Sequence, residues 1–251
     1  MYLWSTFISG EQMREKILRN WQKVVIYDEK HWELLKSKRK RGVKILEILK
    51  EYGIDGYIFG SVARGDVHQN SDIDIIIFKP PKPYLLEYLI EEKIGVIYAR
   101  EIIQATPHHA IKAHIYVDPL TIISFPLVPF TRLEYEFYKF GGLINLKSAR
   151  NVKERVAGVD KRLVLIIPTE KGHIEQSIID NESYVSKILG VSIDIIRERV
   201  SVLTKRDEKG RTGVFLKRIL SPDESFEMVL RELENTNPMV RRLIKSRGLV
   251  I

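Results

Sequence analysis

The chain has 251 residues, 44% hydrophobic and 29% charged, which excludes a disordered or collagen-like protein and allows one large or two modest domains. Lysine and arginine number 41 against 33 aspartate and glutamate, a formal net charge of +8 that favours polyanionic partners. The absence of cysteine excludes a disulfide scaffold, thiolate metal sites and a cysteine nucleophile, and fits a reducing cytoplasm.

The first apolar stretch, Met1 to Gly10, lacks a basic leader, and no window approaches about 18 uninterrupted apolar residues, so neither a signal peptide nor a transmembrane helix is expected. Residues 1–50 read as helical. Met13, Ile17, Leu18 and Trp21 keep one helical period, and Val43, Ile45, Leu46, Leu49 and Tyr52 form a second apolar stripe. The run Lys36-Ser-Lys-Arg-Lys-Arg41 leads into that stripe and reads either as a solvated helix face or as a phosphate-facing patch. Gly56-Tyr-Ile-Phe59 predicts a short strand, with Ser61 opening a helix after it. Asp72 to Phe78 predicts a second strand, stopped by Lys79-Pro-Pro-Lys-Pro83.

A helix is expected over Tyr84 to Glu92, strands at Gly95–Tyr98 and His114–Val117, and a helix with Leu133, Phe137 and Phe140. Gly141-Gly142 through about Gly158 is the candidate boundary, which divides the chain into 1–148 and 149–251. Beyond it come a buried strand, Arg162–Ile167, helical patterns over 182–189 and 192–204, a glycine-rich turn, and a helix around 223–234.

The segment that carries chemistry is Gly60-Ser61-Val-Ala-Arg64-Gly65, followed after six residues by Asp72-Ile-Asp74. A strand, a tight Gly-Ser turn and a helix start present free backbone amides and the positive end of a helix, a ready anion site. The Ser61 hydroxyl adds a donor, and Arg64 lies one turn further on. Asp72 and Asp74, two apart on a strand, share one face, while Ile73, Ile75 and Ile77 share the other. Paired carboxylates stay ionised together only with a cation between them, and hard oxygen ligands beside phosphates imply Mg²⁺ or Mn²⁺. Phosphate cradle and metal pair together suit phosphoryl or nucleotidyl transfer. Asp118, at the end of an apolar run and before Pro119, is the best third carboxylate, with Asp55 and Asp66 as alternatives.

The string GSVARGDVHQNSDIDIII resembles the signature of the polymerase-β-like nucleotidyltransferase superfamily, closest to its minimal members, some of which act as antitoxins. With the preceding strand and Asp118 the resemblance spans about 55–120, and the remainder resembles archaeal nucleotidyltransferases of uncertain substrate. It implies an α/β (α+β) fold with a small mixed sheet flanked by helices. By the same resemblance Gly60, Ser61 and Ser71 belong to the nucleotide site, and Arg64 supports the phosphates or orders the loop. Asp72, Asp74 and Asp118 bind Mg²⁺, and Asp118 draws the proton from the attacking hydroxyl. The 44 residues from Asp74 to Asp118 exceed the spacing of the tightest members.

In the second half, Ser186, Gly190 and Ile196 have offsets that resemble a helix-turn-helix, with a recognition helix over Ser192–Leu203 and a wing over Arg206–Phe215. Arg197, Arg199, Lys205 and Arg211 are then the candidate nucleic-acid contacts. The expected partners are a nucleoside triphosphate, a nucleic acid (tRNA or DNA) or protein acceptor, and a second copy in a homodimer, with no membrane. Two other functions fit the pattern: a helix-turn-helix regulator that senses nucleotide without turnover, and an antitoxin-like enzyme that nucleotidylates a partner protein.

Overall fold

The structure, a computed structural model, describes residues 21–210 and 213–250. The β-branched run Val24-Val25-Ile26 favours an extended backbone and forms β1 (Gln22–Ile26). Asp28 then caps α1 (Glu29–Glu51), accepting a hydrogen bond from the amide of His31 at 2.8 Å. The short elements β2 (Gly56–Phe59) and α2 (Ser61–Arg64) precede β3 (Ile73–Ile77). Pro83, with its preset φ, opens α3 (Pro83–Lys93). Three strands follow, β4 (Ala99–Gln104), β5 (Lys112–Asp118) and β6 (Thr121–Pro126). A capping box between Thr131 and Glu134 starts α4 (Arg132–Phe140). Next come β7 (Leu143–Asn145), α5 (Leu146–Ala149), β8 (Gly158–Val159), β9 (Val164–Thr169) and β10 (Gly172–Ser177). The last elements are α6 (Glu182–Leu189), α7 (Ile193–Lys209), β11 (Leu216–Ile219), α8 (Phe226–Thr236) and α9 (Pro238–Arg247).

Seven strands form one mixed sheet in the order β11-β4-β5-β6-β3-β2-β7, in which only β3 and β6 run parallel. A smaller antiparallel sheet has the order β1-β10-β9-β8. On one face of the large sheet Ile58, Ile75 and Ile123 share a core with Leu35, Ile45, Leu46 and Leu49 of α1. Phe226, Leu230 and Ile244 of α8 and α9 join the same core, with Phe226 edge-on to Phe125 at 5.6 Å. A second core joins Leu165 of β9 to Phe140, Val185, Ile195 and Ile196 of α4, α6 and α7. Among the described residues no helix is long and apolar enough to cross a membrane.

Several expected elements differ. The helix predicted through Trp21 is not continued: the chain after Trp21 is β1, paired with β10, because consecutive β-branched residues precede the Asp28 cap. Met13, Ile17 and Leu18 lie outside the described residues. The strand predicted at Gly95–Tyr98 forms later, at Ala99–Gln104, whose charged and apolar residues hide the pattern of a strand. Lys38 and Arg39, in the run taken as a solvated or phosphate-facing surface, are buried and bound to backbone carbonyls. The predicted wing is helical through Lys209, and β11 joins the large sheet beside β4. The two halves divided at 148/149 thus share both sheets.

Candidate active site

β2 ends at Gly60, whose φ of 77° and ψ of −149° lie where only glycine is at ease. That conformation turns the chain into α2 and sets the Gly60 carbonyl to accept the amides of Ala63 and Arg64, each at 3.0 Å. The Gly60 amide donates to the carbonyl of Gly142 at 2.9 Å. A Cβ on Gly60 would stand 3.6 Å from Asp74 Oδ2, so the bare turn leaves open the space in front of that carboxylate. Phe59 is in register with Asp74, which fixes turn and acid on neighbouring strands. Ser61 opens α2, where the first amides lack helical acceptors, and its hydroxyl makes no hydrogen bond among the described residues.

Asp72 is exposed just before β3, and Asp74 is half-buried within it. Their spacing of two puts both on the face opposite Ile73, Ile75 and Ile77. Burial, and then the repulsion of Asp72, push the Asp74 carboxyl up to about 6, against the pull of Lys161, Lys112 and Arg64. A carboxylate enclosed beside a second one, in front of a turn without side chain, fits a divalent cation. Among the described residues no three or more acidic or histidine side chains cluster to hold a metal.

The loop between turn and carboxylates is pinned from within. Arg64 is 5% exposed; its guanidinium grips Asp66 at 2.8 and 3.0 Å and donates to the Gly141 carbonyl at 2.6 Å. These bonds tie Arg64 to the loop itself and to the chain after α4. Ser71 is also buried: its Oγ accepts the His68 amide at 2.9 Å, and its carbonyl accepts Lys38 Nζ at 2.7 Å. Arg39 donates to the carbonyls of Val62, Ala63, Ala149 and Glu154 at 2.7–3.2 Å, anchoring the end of α2. Neither Lys38 nor Arg39 stood out in the sequence, where each is one more basic residue in a basic run.

Asp118 ends β5 after a bulge, in register with Thr121, which pairs with Ile73. This brings it to the Asp72 end of the sheet, where both acids act on Lys38. Its carboxylate is engaged, Oδ1 by the amide of Leu120 at 2.9 Å and Oδ2 by Arg41 at 3.3 Å. On β6, the neighbour of β3, Ile122 stands opposite Asp74. Asp55 pairs with Lys50 at 2.7 Å, and Asp66 with Arg64.

A further acid, Glu101, escaped the sequence reading because β4 did. Burial raises its carboxyl, but hydrogen bonds from His114, Tyr116 and Lys217 outweigh burial and bring it to about 2. Its stabilisation is therefore complete above the unfolded value and lost as pH falls towards about 2. Tyr116 lies in the row of Ile122 and Asp74, and its hydroxyl reaches Glu101 at 2.8 Å.

The remaining candidates lie on α7. Gly190, at φ 61°, turns α6 into α7 as a helix-turn-helix would. The first turn of α7 is engaged, however: the amide of Ser192 donates to Glu136 of α4 at 3.0 Å, and its hydroxyl to the same carboxylate. Arg197 and Lys205 are exposed, Arg199 is turned onto Phe137 of α4, and Arg211 lies outside the described residues.

Compared with known proteins, the chain matches the family described as "Nucleotidyltransferase domain" over residues 43–220. The match runs from within α1 past β11 and crosses the glycines at 141–158. No curated protein and no solved structure matches the chain. Turn, carboxylate strand and family match agree, and the chain belongs to the nucleotidyltransferase domain family, of polymerase-β-like type.

Proposed function

We propose that the protein is a divalent-metal-dependent nucleotidyltransferase that moves a nucleoside monophosphate from a nucleoside triphosphate to a hydroxyl acceptor on a nucleic acid or a protein. The observation that carries this reading is the approach of the Gly60 turn to Asp74, where an added Cβ would stand 3.6 Å from Oδ2. In the reaction the acceptor oxygen bonds to the α-phosphorus, the bond from that phosphorus to the β-phosphate bridge breaks, pyrophosphate leaves, and the hydroxyl gives up its proton.

The chain's part is chiefly positioning and charge. The turn, with Ser61, receives phosphate oxygens. Asp72 and Asp74 would hold Mg²⁺ or Mn²⁺, which supplies neutralisation of the phosphates and of the leaving pyrophosphate. Arg64, Ser71 and Lys38 keep the loop between turn and acids in place, as their hydrogen bonds indicate. Asp118, held by Arg41 and the Leu120 amide, serves the β5–β6 turn.

Transfer of labelled nucleotide, assayed over the four triphosphates with Mg²⁺ or Mn²⁺, tests this reading. The wild type is expected to label an acceptor, and the double variant Asp72→Ala/Asp74→Ala is not. Asp118→Asn is expected to retain transfer to within about tenfold, whereas loss of a general base would cost about 10²–10⁴. Equal labelling by the wild type and the double variant contradicts the reading.

A further inference from the structure

Most buried cations of this protein have oxygen partners close by. Arg39 has four carbonyls, Lys38 has two, and Arg64 has a carboxylate and a carbonyl. Lys112 on β5 and Arg199 on α7 differ. Neither makes a hydrogen bond or ion pair with any described residue, although both are half-buried and Arg199 Nε is fully enclosed without an acceptor.

Each cation instead lies against a ring of α4. The Arg199 guanidinium is 5.0 Å from the Phe137 centroid, and Lys112 Nζ is 5.9 Å from that of Tyr138. The acids nearby are occupied. Glu134 accepts from the amides of Ala110 and Thr131 and pairs with Arg247 at 2.8 Å, while Glu198 faces His109 at 3.6 Å. Burial lowers the pKa of both cations. Glu134 and Asp74 work against this at Lys112 while Arg199 adds to it; at Arg199 it is Arg206 that adds and Glu198 that opposes. At Lys112 the charge of Arg199 adds to the cost of burial, and an anion beside the two cations would relieve it.

Their place says which anion. The Tyr138 ring meets Phe59 edge-on at 4.9 Å, and Phe59 is the register partner of Asp74. A short chain of neighbours, Lys112 to Tyr138 to Phe59, thus ends at Asp74, whose charge acts on Lys112. We infer that Lys112 and Arg199 form a phosphate-binding pair on the α4 side of the site and hold the polyphosphate of the nucleotide. This rests on the nucleotidyltransferase reading above and deepens it. It also gives α7 a role as a wall of the nucleotide site, with Arg199 facing inward onto α4 rather than outward to a nucleic acid.

Titration calorimetry of the full chain with inorganic tripolyphosphate, without metal, tests the pair directly. A short single-stranded oligonucleotide serves as the second probe, since its backbone offers the same phosphate oxygens. Lys112→Met and Arg199→Gln are each expected to weaken tripolyphosphate binding by about 10- to 100-fold, the loss of a charge-assisted contact. Oligonucleotide binding should stay within about twofold, a change worth less than RT. In transfer assays the variants should raise KM for the triphosphate more than they lower kcat.

Thermal melts guard against misfolding. Tripolyphosphate should raise the wild-type Tm and raise that of each folded variant less, and either variant alone suffices for the comparison. Unchanged tripolyphosphate affinity in a folded variant overturns the proposal, as does a loss confined to the oligonucleotide. If Asp72→Asn and Asp74→Asn abolish transfer while these variants bind tripolyphosphate normally, only this inference fails. If the aspartate variants transfer normally, the function reading fails, and the tripolyphosphate titration still judges the pair.

Discussion

Asp74→Asn should lower nucleotide transfer by at least about 10³-fold, the several kcal/mol that a metal-holding carboxylate supplies to the transition state. The same change should make the metal-free protein harder to melt. Burial and Asp72 hold the Asp74 carboxyl at about 6 in the folded chain against an ordinary 3.8, so ionised Asp74 opposes folding. The sign follows from linkage: the unfolded chain gives up this proton first, so stability of the metal-free wild type falls as pH rises from about 4 to about 6 and then levels. The full penalty is about 3 kcal/mol at neutral pH by the conversion of pKa difference to free energy.

Asparagine keeps the size of the side chain and removes the charge. A gain of about 2 kcal/mol, or several degrees in Tm, is therefore expected at pH 7.5 with chelator present, and almost none at pH 4. Urea or thermal unfolding of both proteins at the two pH values checks it. A variant that melts below the wild type at pH 7.5 would show that Asp74 is a supporting residue of the fold and not a strained ligand.

Arg39→Ala should be the most damaging substitution outside the carboxylates. Arg39 is 2% exposed and binds four carbonyls, two from α2, one from α5 and one from the segment before β8. Burial, joined by the repulsion of Arg155 and opposed by Glu154, lowers its pKa to about 10, still far above neutrality. Truncation takes a donor from four carbonyls, of which that of Ala63 keeps another, the Val156 amide at 3.3 Å, at a cost of about 3–5 kcal/mol.

The loss should be larger than for Arg39→Lys, since an ammonium lacks the planar fork that reaches several carbonyls at once. Because two of the carbonyls end α2, the same variant should weaken triphosphate binding. Equilibrium urea unfolding measures the first effect and titration calorimetry the second. A destabilisation below about 1 kcal/mol, within the range of ordinary substitutions, would contradict this role.

What the sequence discloses depends on how local the cause is. The Gly-Ser turn and the Asp-Ile-Asp strand are written in adjacent residues, with glycine needed for the turn and alternation for the shared face, and both elements form where the pattern puts them. The α6–Gly190–α7 pair was equally local. Its use was not, because Glu136 and Phe137 of α4, far away in the chain, decide which residues of α7 turn inward. Lys38 and Arg39 look like their exposed neighbours Lys36 and Lys40 until the 65–71 loop and α5 fold against them. Glu101 was hidden for the same reason: its partner Lys217 arrives on β11, more than a hundred residues later.

On the proposed reading, the Gly60 turn and the Asp72–Asp74 pair form one site for a divalent ion and a triphosphate. Electron paramagnetic resonance of Mn²⁺, titrated into the protein with a non-hydrolysable triphosphate analogue, tests it most directly. The wild type should take up Mn²⁺ far more tightly with the analogue than without it, and Asp72→Asn/Asp74→Asn should show no such gain. Uptake that is indifferent to the analogue, or equal in the double variant, would show that turn and carboxylates do not form one site.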